Sequence, residues 1–336
     1  MTVLRILLSA SARLFLALAL LSGCQKFEDE EHERNTLIGL FAHERYAALE
    51  TALDETNQQY GQKTISAELW QKRWYAIANV NLGGATRRFN EWVTQTNSGY
   101  AYLLRGMYFQ VEAWRRNDEE GVDEARRQAE FMRLMDLAAA DLQAAQKAID
   151  PCALCLAEQI NLNRALGKPA EQSRALFEKA IALDPQLPAT VFAYFATLYP
   201  PEGGSFQLMR DFINQMQARK LAPELLAGLE SRYCHQEAQA AKEKQDFDSR
   251  LAWLQKGMTD KPYDGLAREL ASVYMDREEP LRAIEVLNLN LEKNNPWDLA
   301  SIDILLRAYF KAGQRDKGDE MLKKRTEILL RYSSYR

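Results

Sequence analysis

The chain reads as an all-α protein built of antiparallel helical hairpins stacked into a solenoid. Three observations lead there. The 336 residues hold only 16 Gly and 10 Pro, too few to punctuate a strand-and-turn architecture of this length. Ala, Leu, Glu, Gln, Lys and Arg dominate instead, the residues that lose least on entering a helix. Apolar residues recur at helical spacing along most of the chain, and segments of the second half resemble one another.

The first element is a leader. Arg5 and Arg13 give a positive start, Leu14 to Leu21 form an apolar run of signal-peptide length, and Ser22-Gly23 precede Cys24. Residues 1–23 are thus expected to be a signal peptide, with a charged linker over 24–35. The order Leu21-Ser22-Gly23-Cys24 resembles the bacterial lipobox, which implies that Cys24 carries diacylglycerol and acyl chains as a membrane anchor. Gln25 follows where an Asp would favour the inner membrane, so the resemblance points to the outer membrane with the body of the protein in the periplasm.

An N-terminal helical domain is expected over 36–117. "LIGLFAHERYAALETALDETNQQY" suits a helix pair broken near His43. "SAELWQKRWYAIANV" places Trp70 and Trp74 on one helical face, with Ser66 or Thr64 available as its cap and Glu68 early in the helix. Phe89 and Trp92 belong to the next helix and "YAYLLRGMYFQVEAW" to the one after. The acidic "NDEEGVD" at 117–123 reads as a flexible seam before a long helix that runs to Asp150.

Over 124–332 the chain reads as a helical repeat region. In "SRALFEKAIALDPQLP", Phe177, Ala180 and Pro185 carry the spacing of the second helix of a tetratricopeptide repeat. The aromatic fills the gap between paired helices, the small residue allows close approach, and Asp184-Pro185 stops the helix. Two further units place Leu270, Ala271 and Tyr274 before Ala283 and Leu287, then Leu305 and Tyr309 before Leu322. Tyr274 and Tyr309 lie about one 34-residue period apart. A hairpin of this kind cannot bury its apolar face alone, so neighbours must stack. The charged last helix is expected to cap the array.

Cys152 and Cys155 in "DPCALCLAEQINLNRAL" open a helix after a proline, which is not the strand-bound setting of a thioredoxin-like motif. They pair with each other, take part in a longer-range disulfide, or stay buried thiols. A zinc site would need two more ligands, and Cys234-His235 is the only candidate pair.

"LFAHERYAALETALDETNQQY", "YLLRGMYFQVEAW" and "ALFEKAIALDPQLPATVFAYFATLYPPEGGSFQLMRDFINQM" together resemble, in order and spacing, an uncharacterised bacterial family, domain of unknown function 4034, over residues 36–220. Arg105-Gly106 matches its Arg-Gly. Gly203-Gly204-Ser205 matches part of its Trp-Gly-Gly-Ser turn, with Glu202 in place of the Trp. The resemblance implies a tetratricopeptide-like fold and no particular reaction.

The chemistry that remains is sparse. The formal charge is −4, with acidic and basic residues interspersed, so nothing seeks nucleic acid. His32, His43 and His235 are scattered; no nucleophile elbow, phosphate loop or metal-ligand spacing appears, and no cofactor is expected. Arg105 must meet a carboxylate neighbour or an acidic ligand, because a buried guanidinium needs a partner. Gly203, Gly204 and Ser205 form either a capped interhelical turn or an anion site at a helix N-terminus. These residues give a scaffold for a protein or peptide partner in envelope assembly or secretion as the leading expectation. A binding protein for a small acidic ligand comes second, and an all-helical cell-wall hydrolase third.

Overall fold

A computed structural model describes residues 32–119, 121–294 and 298–333. Every regular element in them is helical. The short helix α1 (32–42) ends in a turn at His43, where the break was expected, and α2 (Tyr46–Gly61) follows. Then come α3 (Ala67–Ala78), α4 (Ala85–Thr96), α5 (Gly99–Asn117) and α6 (Glu124–Ala148). Local chemistry sets their starts. Ser66 accepts the Leu69 N–H, Ser98 that of Ala101 and Asp123 that of Arg126, each satisfying a donor that the first turn leaves free.

α5 is the axis of this half. It touches α3, α4, α6 and α7, and nine of its side chains from Ala101 to Ala113, besides Gly106, are buried. Gly106 is small for a reason: a Cβ there would stand 3.2 Å from Asp141 Cβ and Leu142 Cγ on α6. Beyond the stretch expected as a seam, α6 packs back on α5. Phe131, Leu134, Met135, Ala138, Leu142 and Ala145 of α6 join the same apolar cluster as Phe41, Leu49, Trp74 and Trp92, because α6 presents its apolar face back on α5.

The rest is five hairpins. They are α7 (Ala153–Ala165) with α8 (Ala170–Leu183), α9 (Pro188–Ala196) with α10 (Phe206–Ala218), and α11 (Pro223–Glu243) with α12 (Phe247–Lys256). Next are α13 (Asp264–Asp276) with α14 (Pro280–Lys293) and α15 (Leu299–Lys311) with α16 (Arg315–Ser333). Each turns on a residue with positive φ, in order Gly167, Gly203, Gln245, Glu278 and Gly313, the left-handed stop that ends many helices. First helices pack on first helices, α7 on α9, α9 on α11, α11 on α13 and α13 on α15. This is the stacking expected of a tetratricopeptide-like solenoid.

The named repeat positions are core: Phe177 and Ala180, Leu270, Ala271 and Tyr274, Ala283 and Leu287, and Leu305 and Tyr309 are all buried. The exceptions are Pro185, in the turn after α8, and Leu322, on α16; both are exposed, Leu322 by 43 %. Among the described residues, no helix is long and apolar enough to cross a membrane.

Candidate functional site

Cys24 lies outside the described residues. Cys152 and Cys155 form a disulfide at the start of α7, with their Cα atoms 5.3 Å apart, and Cys152 is also that helix's N-cap. The long-range pairing and the free-thiol alternative therefore fall away for these two. Cys234 is a buried free thiol whose pKa burial pushes up to about 11, which keeps it unreactive. Its neighbour His235 sits against Glu269 at 3.0 Å, and the same carboxylate receives Arg250 at 2.8 Å. Among the described residues, no group of three or more His, Cys, Asp or Glu is placed to hold a metal ion.

Arg105 borders a cavity of about 410 Å³, but its donors turn to neighbours in the fold. Its Nε and Nη2 each donate to Asp141 at 2.7 Å, and Nη1 donates to Asn90 at 3.0 Å. The bidentate pair fills the fork, so the acidic-ligand reading of this residue gives way to a structural one. The Gly203-Gly204-Ser205 turn is likewise taken up by the fold. Gly203 has φ +86°, and a Cβ on Gly204 would fall 2.1 Å from the Leu198 carbonyl oxygen. Ser205 Oγ accepts from Leu208 N–H at 3.2 Å as the cap of α10.

The feature that sequence reading did not single out lies where the two halves meet. α3 runs across the N-terminal ends of α9, α11 and α13, and between them is a cavity of about 270 Å³. Three polar contacts hold α3 there. Gln71 accepts from the Ala189 N–H at 2.7 Å in the first turn of α9. Lys261, just before α13, reaches Glu68 at 2.6 Å, and Lys72 donates to the Asn294 carbonyl at 3.1 Å beyond α14. Burial alone would raise the pKa of Glu68, but Lys72 and Lys261 outweigh it and the carboxyl is held below its usual range.

Arg232, on α11, lines this cavity. Its guanidinium lies 3.8 Å from the Phe192 ring centroid and 4.7 Å from that of Tyr263. Tyr263 is fixed in turn by an edge contact with His235 and by its own N–H, which donates to Ser231 Oγ at 2.7 Å. Among the described residues the Arg232 guanidinium donates to the Gly228 carbonyl of its own helix, at 3.2 Å. Burial lowers its pKa, opposed by Tyr199, Tyr263 and Asp264. Gly228 makes room: a Cβ there would come within 2.9 Å of Phe192.

Behind the cavity wall, Tyr75 donates to Glu158, which also receives Gln110 at 3.3 Å and Asn161 at 3.4 Å. No cation faces this carboxyl among those contacts. Burial raises its pKa and the three hydrogen bonds only partly offset the rise. The signal for the whole site was faint: Gly228 and Arg232 one turn apart in the mostly apolar "LLAGLESRYC", and an aromatic after Pro262 in "KPYDG". No protein-family model matches the chain, and no curated protein matches it.

Proposed function

We propose that this chain is a lipid-anchored periplasmic scaffold whose stacked hairpins bind a protein or peptide partner in envelope assembly or secretion. The observation that carries the reading is a pair of large apolar side chains left in solvent at matching places. Phe247 opens α12 and is 71 % exposed; Leu281, the second residue of α14, is 61 % exposed. Exposed apolar surface repeated along a solenoid is what an extended partner would cover. The Cys152–Cys155 disulfide supports an oxidising compartment, and the lipobox-like order ending in Cys24 supports the anchor.

In-cell photo-crosslinking from positions 247 and 281 tests the scaffold reading. A reproducible partner, lost when Phe247 and Leu281 are both replaced by Ser, is the expected result; crosslinks to nothing above background would remove it. The anchor has its own check. Cys24→Ala is expected to move the protein from the membrane fraction to the soluble periplasm, and a variant that still sediments with membranes, with no lipid label on the wild type, overturns it.

A further inference from the structure

The cavity under α3 contains a guanidinium that makes no ion pair among the described residues. Arg73, Arg105 and Arg250 are similarly sheltered, and each has a carboxylate within hydrogen-bond distance: Glu33, Asp141 and Glu269. Arg232 forms no ion pair among the described residues; its single acceptor is a carbonyl on its own helix. A guanidinium carries five N–H donors in one plane, and sheltering a charge without an acceptor is costly. The guanidinium carbon lies over the Phe192 and Tyr263 rings. The N–H groups not engaged by Gly228 stay available to an acceptor, and a carboxylate matches the guanidinium fork.

We propose that this cavity is a binding site for a small monoanionic organic acid, its carboxylate received by Arg232 and its apolar body lying against Phe192, Leu225 and Tyr263. The surroundings select that class. Lys72 and Lys261 share Glu68, and Asp264 is engaged by Asn290 at 3.0 Å and Asn294 at 3.3 Å. Glu224 and Asp264 both line the cavity, so a second negative charge on the ligand would face carboxylates. A monoanion is matched by Arg232 alone. The first turns of α9, α11 and α13, at Pro188, Leu225 and Asp264, border the same space, and their positive dipole ends favour an anion. At about 270 Å³ the cavity falls just below the usual ligand range of about 300–1,000 Å³, which suits an acid with one ring or a short chain.

The site goes beyond the scaffold reading, and neither depends on the other. Its walls come from both halves, so an occupant tightens α3 on the repeats. The test uses the purified full chain in detergent with benzoate and hexanoate as probes, against benzamide and inorganic phosphate. Calorimetry is expected to show either acid binding at least about ten-fold more tightly than benzamide or phosphate, with Arg232→Gln losing about ten-fold or more, the scale of a lost charged hydrogen bond. Leu225→Trp, which fills the cavity and leaves Arg232 in place, is expected to abolish binding and covers the case in which Arg232→Gln does not fold. Binding of neither acid, equal binding of benzamide or phosphate, or full affinity in Leu225→Trp overturns the proposal. Crosslinking to a protein partner would stand through any of these results.

Discussion

Around Trp92, the N-terminal half gathers rings from four helices, whereas around Leu287 the repeats supply only one hairpin and its neighbours. Trp92 packs parallel to Tyr46 of α2 at 5.8 Å and close to Phe41 of α1, while Phe89 beside it stacks on Tyr108 of α5 at 4.7 Å. Its indole N–H donates to Glu50 at 2.8 Å. Leu287 is as fully enclosed, but among the described residues α14 packs chiefly against its neighbours α13 and α15. The first arrangement is one cooperative core; the second is a sum of nearest-neighbour contacts. Equal burial therefore has unequal reach.

Trp92→Ala is the sharpest way to break the contrast. It is expected to cost about 3–5 kcal/mol and to raise amide exchange across α1 to α6 together. Leu287→Ala is expected to cost about 2–3 kcal/mol, with faster exchange confined to α13–α16. If both substitutions loosen the whole chain alike, the two halves fold as one unit and the contrast fails.

Glu158→Gln probes the junction. The fold raises this carboxyl's pKa, so folding takes up a proton once the pH exceeds the ordinary carboxylate value, and stability declines as pH rises through that window. Denaturation of the variant between pH 4 and 8 is expected to show a shallower decline than the wild type. An unchanged slope would mean that Glu158 does not titrate there. The smallest effect is Ser205→Ala, about 1 kcal/mol for a lost cap, seen as a modest drop in melting temperature; a loss several times larger would show that the turn does more than start α10.

Much of the fold was legible in the chain, and the reasons are local. Ser66 and Ser205 announce helix starts, Asp184-Pro185 a stop, and Tyr274 and Tyr309 the repeat, because caps and periodicity act within a few residues. The pairing of α5 with α6 was not legible: an acidic, Gly-containing stretch reads the same whether it links two domains or closes a hairpin. Nor does the pattern at Leu322 say that its side chain is left exposed. The need of Arg105 for a partner could be read, but not that Asp141 supplies it. The cavity was beyond reach, since Glu68, Pro188, Arg232 and Asp264 come from four distant segments brought together only by the stacking.

The contacts of α3 with Lys261 and Asn294 join positions roughly two hundred residues apart in a structure whose other links are mostly short. A free solenoid stretches and bends like a spring, each joint giving a little. With α3 fastened across successive turns, the stretch from α9 to α14 becomes a braced arch. Any change in the spacing of these hairpins must therefore also move the Glu68–Lys261 and Lys72–Asn294 links.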